Sequence, residues 1–247
     1  MGQKHVWRGL RLLAILPATV LGFVIFSGTT SSNETSISGK ENLDLPFDAI
    51  GENEEEEMAP EIVVFYGQIY EADALFFALD ESGSMQQQGR WSLQSREILR
   101  AISELSSRAE FGVVFYASRV TPFREQPVTA TEGMKSAAKS FVQSRHPDGD
   151  TCLAEGAVKA LQIAAKSKSR HRAVIVTSDG KPDICSTGDL ASGEEFDALI
   201  QKTLDANPGR QVKLHTVWVG AVVESQAIEF MKRLAAAHGG TFRQVNQ

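Results

Sequence analysis

The sequence predicts a three-layer α/β fold: a doubly wound, mostly parallel central sheet with helices on both faces. Two observations carry that expectation. From Glu61 onward, strand-like and helix-like patterns alternate. Within that alternation, residues 74–79 (Ala-Leu-Phe-Phe-Ala-Leu) form a continuous apolar run, the pattern of a strand buried on both faces.

Each element has its own warrant. Residues 62–66 read as a leading edge strand, and the stretch to Gln68 as an extra edge element of the sheet. Residues 74–79 are the central strand. Residues 91–107 are an amphipathic helix, because Leu93, Ile98, Ile102 and Leu105 recur at helical spacing. The next strand is 111–116. Residues 120–124, with Pro122 inside and Pro127 nearby, suit only a short edge strand, antiparallel to its neighbour, since proline cannot donate within a central ladder. Helices at 132–144 and 154–166 follow, then a strand at 173–177, a helix at 193–206, a strand at 212–219 and a helix at 225–238. Gly239-Gly240 closes that helix, and 241–245 is a last strand with no helical pattern after it.

The 247 residues are 42% hydrophobic and 23% charged, a globular balance that suits one domain behind an N-terminal extension. Net charge is −6, with Glu52 and Glu54 to Glu57 concentrating the acidity, which excludes an electrostatic footprint for nucleic acid. Lys4, Arg8 and Arg11 precede an uncharged, mostly apolar stretch, 12–26, so residues 1–28 read as a signal peptide or an N-terminal membrane anchor. The positive flank holds that end in the cytoplasm and sends the rest across. Residues 29–58, rich in Ser, Thr and Glu, read as a disordered acidic linker, and 59–247 as the folded domain. The expected location is the cell envelope, membrane-anchored and facing outward, or secreted if the signal is cleaved.

Chemistry concentrates after the central strand. Asp80-Glu81-Ser82-Gly83-Ser84 places a carboxylate and two hydroxyls at alternate positions, and Gly83 lets the loop curl so that their oxygens converge. Ligands of open α/β sheets bind at such strand ends. Oxygens of this kind suit magnesium, manganese or calcium better than zinc. Read alone, the segment is equally a polar turn. Thr151, before Leu153-Ala154-Glu155, reads alone as a helix N-cap, and Asp179-Gly180 reads alone as a loop turn.

Taken together, three separated elements coincide: Asp80-Glu81-Ser82-Gly83-Ser84-Met85, Gly149-Asp150-Thr151, and Val176-Thr177-Ser178-Asp179-Gly180-Lys181-Pro182. In this the chain resembles a von Willebrand factor type A domain over residues 61–246. The resemblance implies the Rossmann-like fold and a metal-ion-dependent adhesion site formed by Asp80, Ser82, Ser84, Thr151 and Asp179. It implies that the hydroxyls bind magnesium or manganese directly, with calcium also compatible, while the two aspartates act through water. Neutral hydroxyl ligands leave a dication incompletely neutralised, and a partner protein's acidic side chain fills the vacancy.

The expected function is a non-enzymatic, membrane-tethered or secreted binding module that captures a protein partner through the cation. An envelope scaffold with a structural cation is the alternative. A metal-assisted hydrolase is disfavoured, because the chain has no Gly-x-x-x-x-Gly-Lys-Ser/Thr loop and no Gly-x-Ser-x-Gly elbow, and its Asp148-Gly149-Asp150 lies in a turn segment instead of following an apolar strand. The resemblance implies a C-terminal helix in many members that this sequence does not show. Cys152 and Cys185 lie close to site positions, either bridged across the rim or as separate small buried residues or free thiols. Asp148, Asp150 and Asp183 read as solvated loop acids, with tuning of the field at the metal or binding of a second cation as the alternative.

Overall fold

The computed structural model describes residues 60–246 except 186, 188 and 221–223. The expected signal peptide or anchor 1–28, the expected linker 29–58 and its boundary with the domain lie outside the described residues. In chain order come β1 (Ile62–Phe65), β2 (Gln68–Glu71), β3 (Ala74–Asp80), a 3-10 segment (Gly83–Gly89) and α1 (Arg90–Glu104). Then follow β4 (Glu110–Tyr116), β5 (Val120–Pro122), β6 (Val128–Thr129), α2 (Glu132–Gln143) and α3 (Leu153–Ala164). The chain continues through β7 (Arg172–Ser178), a ribbon of β8 (Asp183–Ile184) and β9 (Asp189–Leu190), α4 (Gly193–Asp205), β10 (Lys213–Val219), α5 (Ser225–Ala237) and β11 (Gly239–Val245).

The main sheet runs β11-β10-β7-β3-β4-β5, with β6 also pairing β4. Its five longer strands are parallel, and β5 and β6 are antiparallel to β4. This is the expected doubly wound fold, with the apolar run at its centre. Every residue of β3 is buried, and strand alternation divides its side chains between two cores. Leu75, Phe77 and Leu79 face a core shared with α1, α2 and the β1–β2 hairpin. Ala74, Phe76 and Ala78 face the core shared with α3, α4 and α5. Burying each large side chain such as Phe76 or Phe77 contributes roughly 1.5–3 kcal/mol, which is why β3 ends up in the middle.

Three expectations are corrected. First, residues 62–66 do not extend the sheet edge: β1 pairs only with β2, in a separate ribbon. The two-residue loop Tyr66-Gly67 has positive φ at both positions (50° and 72°), the twist a tight hairpin needs, so the segment closes on itself. Its apolar side chains then cover the sheet face beside α1. The Phe65 and Phe77 ring centroids are 5.1 Å apart, Tyr70 meets His215 edge-on at 4.9 Å, and the Gln68 amide donates to Thr241 Oγ1 at 2.9 Å. Second, the last strand starts at Gly239 instead of 241, because φ of +67° at Gly239 turns the chain out of α5 directly into pairing with β10. Third, α1 ends at Glu104 instead of 107; Leu93 packs against the core while partly buried, and the fully buried stripe of α1 is Arg90, Gln94, Ile98, Ala101 and Ile102.

A buried polar knot joins α4 to the end of α5. His238, 1% exposed, accepts at Nδ1 from the Asn207 amide and donates from Nε2 to Thr203 Oγ1, both at 2.8 Å. Burial, with Arg210 adding to it, pushes the His238 imidazole down to about 4, and burial with Lys213 does the same for His215. The unfolded chain takes up these protons near pH 6.5, whereas the folded chain resists until about pH 4. The stability they contribute is therefore complete above pH 6.5 and falls as the pH drops toward 4, by roughly 3 kcal/mol for His238 alone. Urea denaturation at pH 7 and at pH 4.5 checks this: His238→Gln should flatten the acid-side loss, and an unchanged profile would refute the assignment.

Candidate metal centre

The site sits where β3 and β7 end, at the carboxyl edge of the parallel strands. Asp80, fully buried, closes β3; its Oδ1 accepts from the Ser82 N–H at 2.7 Å and its Oδ2 accepts from Ser178 Oγ at 2.8 Å. Ser82 Oγ and Ser84 Oγ lie 3.1 Å apart, and Ser84 Oγ donates to Asp179 Oδ1 at 2.6 Å. The second loop reaches the same place. A Cβ built on Gly180 would stand 3.8 Å from Thr151 Oγ1 and 4.0 Å from Ser84 Oγ, so a side chain there would enter the space between them. The five residues singled out in the sequence are thus brought to one spot by three loops.

Backbone bonds hold those loops together. Gly83 N–H donates to Gly149 O at 3.0 Å, Asp148 N–H to Glu81 O at 2.7 Å, and Asp183 N–H to Thr151 O at 3.0 Å. The expected capping role of Thr151 is corrected: Cys152 is the N-cap of α3, and among the described residues no hydrogen bond engages the Thr151 hydroxyl. Thr151 instead sits one residue earlier, where its N–H donates to Asp183 Oδ2 at 2.5 Å and its side chain is left for the site. Asp183 is a second correction, being 8% exposed rather than solvated; burial raises its carboxyl, and its job is to shape the Thr151 loop. Asp148 and Asp150 are exposed, as expected, the latter accepting from Ser118 Oγ at 2.7 Å. Cys152 and Cys185 stand at disulfide distance, Cα atoms 5.6 Å apart, tying the Thr151 loop to the loop after Asp179.

Four supporting residues escaped the sequence reading. Gln94, on α1, donates to Asp80 O at 2.7 Å and accepts from Thr177 Oγ1 at 2.5 Å; Tyr116 OH donates to Thr177 O at 2.5 Å. Ser178 orients Asp80, and Arg90 donates from Nη1 to Asp179 Oδ2 at 2.5 Å. A signal existed for two of them: Arg90 and Gln94 are polar residues on the apolar stripe of α1, at i−8 and i−4 from Ile98.

Burial, and then the nearby Asp179, push the Asp80 carboxyl up to about 7, against the pull of its hydrogen bonds to Ser82 and Ser178. A buried carboxylate in that position is relieved by a cation. The donor set is entirely oxygen, two carboxylates and three hydroxyls, which fits magnesium, manganese or calcium. Cys152, Cys185 and Glu155 also cluster, but sulfurs at disulfide distance offer no thiolate for a softer metal. Beside the site a cleft of about 610 Å³ opens, lined by Glu81, Ser118, Arg119, Arg145, His146 and Asp148. The Glu81–Arg145 ion pair forms one wall, with Arg145 set over the Phe115 and Phe141 rings at 5.8 Å.

Comparison with known proteins meets this geometry at its centre. Residues 75–181, which contain all five site residues, match the family model described as von Willebrand factor type A domain. Inter-alpha-trypsin inhibitor heavy chain H2 of Sus scrofa is 24% identical over 182 residues, 69% of this chain and 18% of that protein. The chain therefore spans about a fifth of the length of the curated relatives it matches. Among solved structures, von Willebrand factor type A from Catenulispora acidiphila aligns with a TM-score of 0.58 at 18% identity, covering 79% of this chain and 48% of that one. The pilus adhesin SpaC from Lactobacillus rhamnosus GG, in its open conformation, aligns at 0.57 and 12% identity, covering 73% and 28%. At these identities the structures speak for the fold alone. No helix among the described residues is long and apolar enough to cross a membrane.

Proposed function

From the premise that this chain carries a von Willebrand factor type A domain, we propose that it is a binding module that captures a protein partner through a divalent cation held by Asp80, Ser82, Ser84, Thr151 and Asp179. The observation that carries this reading is the convergence of Ser84, Thr151 and Asp179 around Gly180, beside a buried Asp80. When bound, magnesium or manganese supplies an electrophilic position for an incoming carboxylate. The residues do the rest. Asp80 sets the first loop by accepting from Ser82, Ser84 and Asp179 join the first loop to the third, and Thr151 presents a hydroxyl unclaimed by the described residues. The flanking residues of an acidic partner segment have room in the adjoining cleft.

The scaffold reading is weaker on a physical ground. Protein hydrogen bonds, with the cysteine pair, already tie the three loops together, so a cation is not required to assemble them. Export through residues 1–28, with 29–58 giving reach from the membrane, completes the proposal and places the module at the cell envelope. That SpaC is a pilus adhesin is consistent with such a role.

Thermal melting and Trp fluorescence of the purified full-length chain test the cation. Magnesium or manganese should raise the melting temperature, EDTA should reverse the rise, and Thr151→Ala should weaken it by about tenfold in half-saturating concentration, the scale of one lost ligand interaction. Trp91, one residue beyond Arg90, is the nearby reporter. Neither a melting nor a fluorescence response to either ion would sink the reading.

A further inference from the structure

Arg90 stands out because it spends a buried positive charge on an aspartate that the proposed cation would also claim. It is 6% exposed, and its side chain is locked on several sides. Nη1 donates to Asp179 Oδ2 at 2.5 Å, and Nη2 donates to Gln88 Oε1 at 3.0 Å. Behind it lies Gly220, at φ +148°, where a Cβ would stand 3.0 Å from Nε and 3.4 Å from Cζ. Nε itself has no hydrogen-bond partner among the described residues. The two oxygens of Asp179 are thereby divided: Oδ1 faces Ser84 and the other loops, while Oδ2 is held from behind by Arg90.

Burying an ion pair is costly, and a pair of apolar residues would often serve stability as well. The charge therefore asks for a role at the site. Asp80 and Asp179 bring two negative charges, Arg90 one positive, and the three hydroxyls none, so the set presents one net negative charge instead of two. A dication bound there is left with one uncancelled positive charge; without Arg90 it would be neutralised. We propose that Arg90 is a positioning residue and fixed internal counter-charge of this site, which weakens cation binding and in exchange keeps the bound cation electrophilic toward a partner's carboxylate. The inference rests on the cation reading above and adds to it a residue from outside the five.

The test compares Arg90→Gln and Arg90→Lys with the parent full-length chain, each purified with magnesium and then stripped with EDTA. Magnesium and manganese are titrated against melting temperature, and acetate serves as a carboxylate probe of the loaded site. Removing the charge should lower the melting temperature of the stripped Gln variant, while lowering its half-saturating cation concentration by about tenfold, since a unit charge a few ångströms away outweighs a decade in affinity even at an effective dielectric of about 20. The response to acetate should fall in the same variant. Lysine keeps the charge without the fork, so Arg90→Lys should stay near the parent in cation affinity. A Gln variant that binds the cation equally or more weakly overturns the proposal, as does a Lys variant that shifts as far as Gln. A Gln variant that does not fold even with magnesium overturns it too, because the cation should then substitute for the guanidinium. A parent that ignores both ions would instead overturn the cation reading itself.

Discussion

Replacing Asp80 with asparagine should weaken the response to magnesium and manganese by about a hundredfold or more in half-saturating concentration while leaving the stripped protein as stable as the parent or more so. The asymmetry follows from burial. Asparagine keeps the shape and one accepting oxygen, so the Ser82 N–H retains its partner, and Ser178 Oγ can turn to accept from the new amide. Without a cation the carboxylate is a liability, since burial and Asp179 push its carboxyl up to about 7. With a cation it is the first-loop carboxylate left to face the site, since Glu81 is paired with Arg145. A unit charge at roughly 4 Å and an effective dielectric of about 20 is worth about 4 kcal/mol, so the loss should be hundredfold or more in half-saturating concentration. Melting curves with and without EDTA at pH 8 measure both halves. A variant that still responds to magnesium with the parent's midpoint would remove Asp80 from the site.

Gly240→Ala should cost the fold roughly 3 kcal/mol or more, one of the larger effects open to adding a single methyl group. A Cβ at this position would overlap the Leu214 carbonyl oxygen and lie 2.5 Å from its carbon, which is backbone of β10 and cannot rotate aside. The register between β10 and β11 already shifts between Leu214 and Thr216, so the irregularity is built around this glycine. For a domain of this size the melting temperature should fall by roughly 6–12 °C. Cation affinity should not change, because Leu214 lies near the amino end of β10 and the site lies at the carboxyl ends of β3 and β7. The same titration of the variant checks this, and a shifted cation midpoint would show that the two ends of the sheet are coupled.

These two substitutions also mark how far the sequence can be read. Asp80 was legible because its chemistry is local: a carboxylate and two hydroxyls at alternate positions after an apolar run. Gly240 was read only as a helix stop, since nothing in Gly239-Gly240 announces the carbonyl of a strand 26 residues earlier. Most element positions were legible for the same local reason, because the period of apolar residues is set by the geometry of one strand or one helix. The β1–β2 hairpin was half legible. Residues 62–66 read as a strand, but whether Val63, Phe65 and Tyr70 add to an edge or cover a face depends on which surface the other elements leave bare.

The sequence by itself determined the α/β class, the central strand, the antiparallel edge at Pro122 and the Asp80-Ser82-Ser84 spacing, all of which follow from short-range pattern and side-chain chemistry, while Thr151 and Asp179 joined that set only through the family resemblance. Only the tertiary structure decided that Thr151 leaves its helix uncapped, that Asp183 is buried to hold the Thr151 backbone, that Gln94 and Tyr116 brace the strand ends, and that Arg90 meets Asp179. The reason is separation along the chain. Partners 14 to 89 residues apart are joined by the order in which strands pair and by the face each helix buries, and neither quantity is written in any one segment.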